Sequence, residues 1–112
     1  MLLSIALFAV AAVFGVIMVT SINRGANPPP AWQAWIHRVF AVAGFGWLVY
    51  QVATAPHAGL TRAAAIAFGV AAIGGFFLFS FRLRKKAMPL PVVIVHAMVA
   101  VTGFLMLVVS VL

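Results

Sequence analysis

Two histidines, His37 and His96, stand in apolar segments that share one frame. The first reads His37-Arg-Val-Phe-Ala41-Val42-Ala43-Gly44-Phe45, and the second reads His96-Ala-Met-Val-Ala100-Val101-Thr102-Gly103-Phe104. The copies are 59 residues apart, and a proline stands seven places before each histidine, at Pro30 and Pro89. Imidazole is a good metal ligand, and polar groups inside an apolar helix are costly enough to count as functional candidates. Haem iron accepts two opposed axial imidazoles, so one haem b per chain, with His37 and His96 as its metal ligands, is the chemistry this pair suggests. Residues four and seven places after each histidine share its helix face. They are Ala41 and Gly44 in one copy and Ala100 and Gly103 in the other. These small residues would let a flat macrocycle approach the backbone. Phe40, Phe45, Phe104, Leu48 and Leu107 would supply apolar walls, and Arg38 is placed to neutralise a propionate.

The elements that must position these residues are membrane spans. The chain has 112 residues, is 67% hydrophobic, and contains no Asp or Glu and only seven Lys or Arg. A soluble domain needs about a quarter of its residues charged, and a membrane-crossing helix needs about 20 apolar residues. Four such stretches are present, at about 2–22, 32–53, 62–81 and 90–112. Thr61 is the expected N-cap of the third, and prolines at 28–30, 56, 89 and 91 punctuate the connections. Open sheet edges cannot face lipid, and short connections make successive helices antiparallel neighbours. The expected fold is therefore all-α: a single domain, residues 1–112, forming a polytopic four-transmembrane-helix bundle. The first span lacks a basic segment before it, and Arg24 follows it, so a retained span is expected over a cleaved signal peptide. With no cysteine, thiolate and iron–sulfur chemistry are excluded.

The basic residues are distributed unevenly. Arg24, Arg38, Arg82, Arg84, Lys85 and Lys86 flank the first and third connections, and the middle connection has only Arg62. The positive-inside rule puts connections 23–31 and 82–90 in the cytoplasm and both termini outside, as in an integral protein of a bacterial inner membrane. The net charge of +7 is then a topology signal and calls for no nucleic acid. Trp32, Trp35, Trp47 and Tyr50 fall near the two ends of the second span, where interfacial anchors belong.

A longer repeat surrounds the histidines. Val10-Ala-Ala-Val-Phe-Gly15 in the first span answers Val70-Ala-Ala-Ile-Gly-Gly75 in the third, and Ser21 answers Ser80. The unit is a helical hairpin used twice, over 1–53 and 62–112, and two-span units give parallel copies. Both histidines then lie at similar depth near a central axis. Gly44, Gly74, Gly75 and Gly103 also suit close helix packing. Ser21 and Ser80 are placed to bond the remaining nitrogen of each axial histidine, or their own helix carbonyls.

The paired His-x6-Gly segments make the chain resemble small membrane-embedded b-type cytochromes, including haem-carrying anchor subunits of respiratory dehydrogenases and four-helix di-haem cytochromes. The resemblance covers spans two and four and implies haem b held non-covalently between His37 and His96, with Gly44 and Gly103 facing the macrocycle. It implies one-electron transfer, with quinone as a possible partner alongside membrane lipid and other membrane redox subunits or further copies of the chain. A second histidine pair, which di-haem members carry, is missing, and His57 has no counterpart.

Two rival classes are a small transporter and an accessory subunit. Small proton-coupled carriers generally need a membrane-embedded carboxylate, and the chain has none. A non-catalytic accessory or structural subunit of a larger membrane complex would use the histidines only as cross-helix hydrogen bonds. An electron-transfer protein or subunit is expected in preference to a free-standing enzyme, and no phosphate loop or paired nucleophile and base supports nucleotide or hydrolytic chemistry.

Overall fold

Prolines and helix-ending turns set the limits of four helices. The computed structural model describes residues 1–112 and contains α1 (Leu2–Asn23), α2 (Ala31–Thr54), α3 (Gly59–Leu83) and α4 (Leu90–Ser110), with no strand. Pro30 and Pro89 are the N-caps of α2 and α4, and Pro91 lies in the first turn of α4, where a missing N–H breaks no helical bond. All four helices are long and apolar enough to cross a membrane. In such surroundings a helix satisfies its own backbone groups without water.

α1 and α3 end in the same way. The amide of Ala26 donates to Ser21 (2.9 Å) and that of Gly25 to Ile22 (3.0 Å); Lys86 donates to Phe81 (2.8 Å) and Lys85 to Arg82 (3.0 Å). These paired bonds close the helix through one left-handed residue, which is Gly25 at φ 97° in the first case and Lys85 at φ 55° in the second. The two connections that follow are tied together. Asn27 Nδ2 donates to the Met88 carbonyl (3.1 Å), its Oδ1 accepts from the Met88 amide (2.8 Å), and Arg82 Nη2 donates to the Pro29 carbonyl.

The helix limits differ from expectation mainly at α3, which begins at Gly59 and runs to Leu83. The amides of Thr61 and Arg62 both donate to the Ala58 carbonyl, at 3.1 and 3.3 Å. The first turn is thus already closed before Thr61, and Ala58 holds the cap position without a side-chain bond. Thr61 is buried inside that turn instead of capping it.

The bundle measures 44 × 19 × 19 Å, long enough to span a hydrocarbon core of about 30 Å. α1 packs along α2 and α3 along α4, while α2–α3 and α1–α4 touch more sparsely. This gives a ring order 1-2-3-4 in which α1 faces α3, and α2 faces α4, across the diagonals. Phe8, Leu48, Ala64, Phe68 and Leu107 form a core toward the termini, and Ile22, Leu78, Met88 and Val93 form one toward the tied connections. Many large apolar side chains point outward, among them Val16, Ile66, Ile73, Phe76 and Met98. Lipid solvates such a surface, whereas water would drive it to associate.

Buried positions recur at one spacing from α1 to α3 and at a spacing one residue shorter from α2 to α4. Ser4, Phe8 and Ala11 on α1 match Ala64, Phe68 and Ala71 on α3; Ala34, Gly44 and Leu48 on α2 match Val93, Gly103 and Leu107 on α4. The aromatic residues of α2 mark its two ends: Trp32 and Trp35 are exposed at one, and Trp47 stacks on Tyr50 at the other, with ring centres 5.6 Å apart. Trp32 and Tyr50 are about 27 Å apart along the helix, at 1.5 Å rise per residue, close to the hydrocarbon thickness.

Candidate functional site

His37 and His96 meet across the α2–α4 diagonal. Their ring centres are 6.3 Å apart and their planes are inclined by 74°. Each lies six residues into its helix, which gives the two equal depth. Both side chains are half-buried.

Each imidazole is held by the partner helix of its own hairpin. His37 Nδ1 lies 2.7 Å from the Ala11 carbonyl oxygen on α1, and His96 Nδ1 lies 2.8 Å from the Ala71 carbonyl oxygen on α3. A carbonyl oxygen can only accept, so Nδ1 carries the proton in both rings and donates it. In a neutral imidazole this places the lone pair on Nε2, the tautomer in which a histidine ligates a metal through Nε2. The carbonyls are reachable because the facing helix lacks side chains at that level. A methyl group at position 15 would stand 3.5 Å from Cε1 of His37, and methyl groups at 74 and 75 would stand 3.5 Å from Nδ1 and 3.3 Å from Cε1 of His96. Glycines that the sequence offers only as packing positions thus form the seat of each imidazole. Gly15 is the one sequence reasoning passed over, although its alignment with Gly75 in the repeat was the signal that could have found it.

The spacing suits two imidazoles on one ion. With a metal–nitrogen bond of about 2 Å, ring centres 6.3 Å apart would allow His37 and His96 to hold one ion between them. No third His, Cys, Asp or Glu joins the pair. The donor set is therefore two neutral nitrogens, which matches a metal whose other positions are filled by a macrocycle and falls short of a four-ligand zinc site. His57 lies in the connection between α2 and α3, at the far end of α2.

The remaining candidate residues are distributed around this pair. Gly44 faces Phe8 and Leu7, and Gly103 faces Phe68 and Ala67. These contacts are with neighbouring helices, in the apolar layer on the terminal side of the histidines. Ala41 and Ala100, one turn from each histidine, are half-buried. The serines do not reach the imidazoles: Ser21 donates to Gln33 Oε1 at 2.9 Å, and Ser80 to the Phe77 carbonyl at 2.6 Å. Backbone carbonyls of Ala11 and Ala71 hold the positions that Ser21 and Ser80 were expected to fill. Ser4 donates to Gln51 Oε1 at 3.2 Å, so α1 and α2 are joined by side chains at both ends as well as at His37.

Arg38 turns its guanidinium toward α3, 4.0 Å from the centre of the Phe79 ring and 5.3 Å from that of Trp35. Its Nη1 is buried and lacks a hydrogen-bond partner. Two shallow surface clefts, one lined by Val49, Val52, Ala53, Arg62, Ala65 and Ile66 and the other by Ala97, Met98, Val101 and Thr102, include neither histidine. No protein-family model, curated protein or solved structure matches this chain.

Proposed function

We propose that the chain is an integral membrane b-type cytochrome, or the haem-bearing subunit of one, holding one haem b between His37 and His96 for one-electron transfer. The observation that carries this reading is the matched pair of Nδ1–carbonyl bonds, His37 to Ala11 and His96 to Ala71. They orient both rings and leave both Nε2 lone pairs free, with the ring centres 6.3 Å apart, so that His37 and His96 would be the residues to hold one metal between them. The sparser contact between the α1–α2 and α3–α4 hairpins makes that seam the one a flat group would have to part. When bound, haem supplies a one-electron couple tuned by its axial ligands, their hydrogen bonds and burial. The protein's own share is to fix the imidazole orientation, to raise ligand basicity through the carbonyl bonds, and to exclude water with the apolar layers on either side. Gly44, Gly103, Ala41 and Ala100 belong to this reading as the small residues beside the ligand layer, and Arg38 as the basic residue next to it.

The same reading takes the chain as two parallel copies of one hairpin, supported by the burial matches and by the identical ends of α1 and α3. It places both termini outside and connections 23–31 and 82–90 in the cytoplasm of a bacterial inner membrane, on the charge distribution. Electrons would pass to or from quinone or a neighbouring redox subunit, in a complex or a homo-oligomer within membrane lipid.

A second reading, a non-catalytic subunit of a larger membrane complex, draws on the same bonds, because an Nδ1–carbonyl bond also clasps two helices. A transporter has less support, since the chain offers no membrane carboxylate. The discriminating experiment is the reduced-minus-oxidised visible spectrum of the detergent-purified protein with His37→Ala and His96→Ala variants. A sharp b-type band lost in each variant is expected. A colourless protein after expression with excess haem would overturn the cytochrome reading and leave the clasp.

A further inference from the structure

We propose that Arg38 and Arg82 form an oxyanion site at the α2–α3 interface that takes the phosphate of an anionic phospholipid. The chain carries seven Lys or Arg and no Asp or Glu, so no internal carboxylate can neutralise any of them. Most can stay solvated at the bundle end. Arg38 differs, because it lies within α2 next to His37, half-buried, with its guanidinium against Phe79 and Trp35 and its Nη1 buried without a partner.

A second cation adjoins it. Phe79 and Arg82 are three residues apart on α3 and so share a helix face, which puts the Arg82 charge on the face against which Arg38 packs. Arg82 spends Nη2 on the Pro29 carbonyl, which fixes its position and leaves other N–H groups to donate. Two like charges held together, with an unpaired donor between aromatic rings, form an arrangement that an exogenous oxyanion completes through charge-assisted, bidentate bonds. A phospholipid supplies that oxyanion at the right depth. Trp32 and Trp35 are exposed on the same end of α2, where aromatic side chains mark the headgroup level, and basic pockets between membrane helices take anionic headgroups. Arg84 provides the contrast: its Nε and Nη2 donate to Ser80 O (3.2 Å) and Ser80 Oγ (3.1 Å), so it has much less left to offer.

Native mass spectrometry of the purified full chain, titrated with phosphatidylglycerol or phosphatidylcholine of equal chain length, tests the site. Phosphatidylglycerol is expected to be retained preferentially. The preference should fall roughly fivefold in Arg38→Gln, fall similarly in Arg82→Gln, survive in part in Arg38→Lys, and change little in Arg84→Gln. Equal losses in Arg38→Gln and Arg84→Gln would reduce the effect to diffuse surface charge and overturn the proposal, as would an unchanged Arg38→Gln protein. Displacement by excess inorganic phosphate would overturn the lipid assignment. The His37→Ala chain separates this site from haem binding: the preference should persist there. A preference that is absent in the haem-loaded protein and emerges only when haem is lost would mean that a haem carboxylate holds the site, and would overturn the lipid assignment.

Discussion

Phe8 of α1 lies flat against Phe68 of α3, with ring centres 3.7 Å apart and planes within 2°. The two rings close the α1–α3 diagonal one turn away from Ala11 and Ala71, whose carbonyls hold the histidines of the α2–α4 diagonal. An aromatic layer and an imidazole layer therefore succeed one another along the bundle axis.

The aromatic layer depends on Gly44 and Gly103. A methyl group at position 103 would stand 3.2 Å from Cβ of Ala67 and 3.4 Å from the Phe68 ring, whereas one at position 46 would have no neighbour within 4 Å. Gly103→Ala should destabilise the bundle by about 1–3 kcal/mol, and Gly46→Ala should be neutral or stabilising by up to about 1 kcal/mol. Thermal unfolding in detergent, monitored by circular dichroism, compares them. Indistinguishable melting curves would refute the close packing at 103.

The imidazole seats are unequal. A methyl group at 75 would press on His96 Cε1 at 3.3 Å, closer than one at 15 would come to His37. Gly75→Ala should displace His96 and weaken haem retention more than Gly15→Ala does. Haem titration of both variants measures the difference, and equal affinities would count against a ligand role for His96.

Both rings should carry their proton on Nδ1 whether or not haem is present, because the Ala11 and Ala71 carbonyls accept from it. Nitrogen-15 NMR of the haem-free, histidine-labelled protein distinguishes the tautomers. A proton on Nε2 alone in either ring would mean that its carbonyl bond is absent.

The tie between the two connections is carried by one side chain, since Asn27 both donates to and accepts from the backbone of Met88. Asn27→Ala should cost about 1–3 kcal/mol and speed amide exchange at Met88. Unchanged exchange there would show that the connections hold together without it.

Lys85 occupies a left-handed conformation at φ 55° that Gly25 occupies in the matching turn. Lys85→Gly should stabilise the bundle by about 1 kcal/mol through relief of that strain, and Lys86→Gly should not. A lower melting temperature for Lys85→Gly would show that its side chain contributes more than its backbone loses.

Much of this organisation could be read from residue type. Prolines, the cluster of Arg and Lys, and unbroken apolar stretches located four helices to within about three residues. The start of α3 was obscured because Thr61 looks like a cap, yet the helix begins three residues earlier, with a bare Ala58 carbonyl in the cap position. Helix faces were harder. Lipid is as apolar as a protein core, so no polar stripe distinguishes outside from inside, and Ile66 and Leu48 look alike in the sequence although only Leu48 is buried. The histidines stood out by contrast with their surroundings. Their partners did not, because Ala11 and Ala71 bond through backbone carbonyls, which every residue has. Gln33 hid for a different reason: it satisfies Ser21 across the hairpin, and nothing in the chain pairs the two in advance.

The location of the histidine bonds has a consequence for biogenesis. His37 finds its acceptor on α1 and His96 on α3, in each case the helix synthesised just before its own. When α2 enters the bilayer, the carbonyl of Ala11 is already there, together with Ser21 and Ser4 for Gln33 and Gln51. The first hairpin can thus leave the insertion machinery with Gln33, His37 and Gln51 partnered, before α3 has been made. The second repeats the step for His96, so neither ring has to wait in lipid with its Nδ1 proton unshared until the whole bundle assembles.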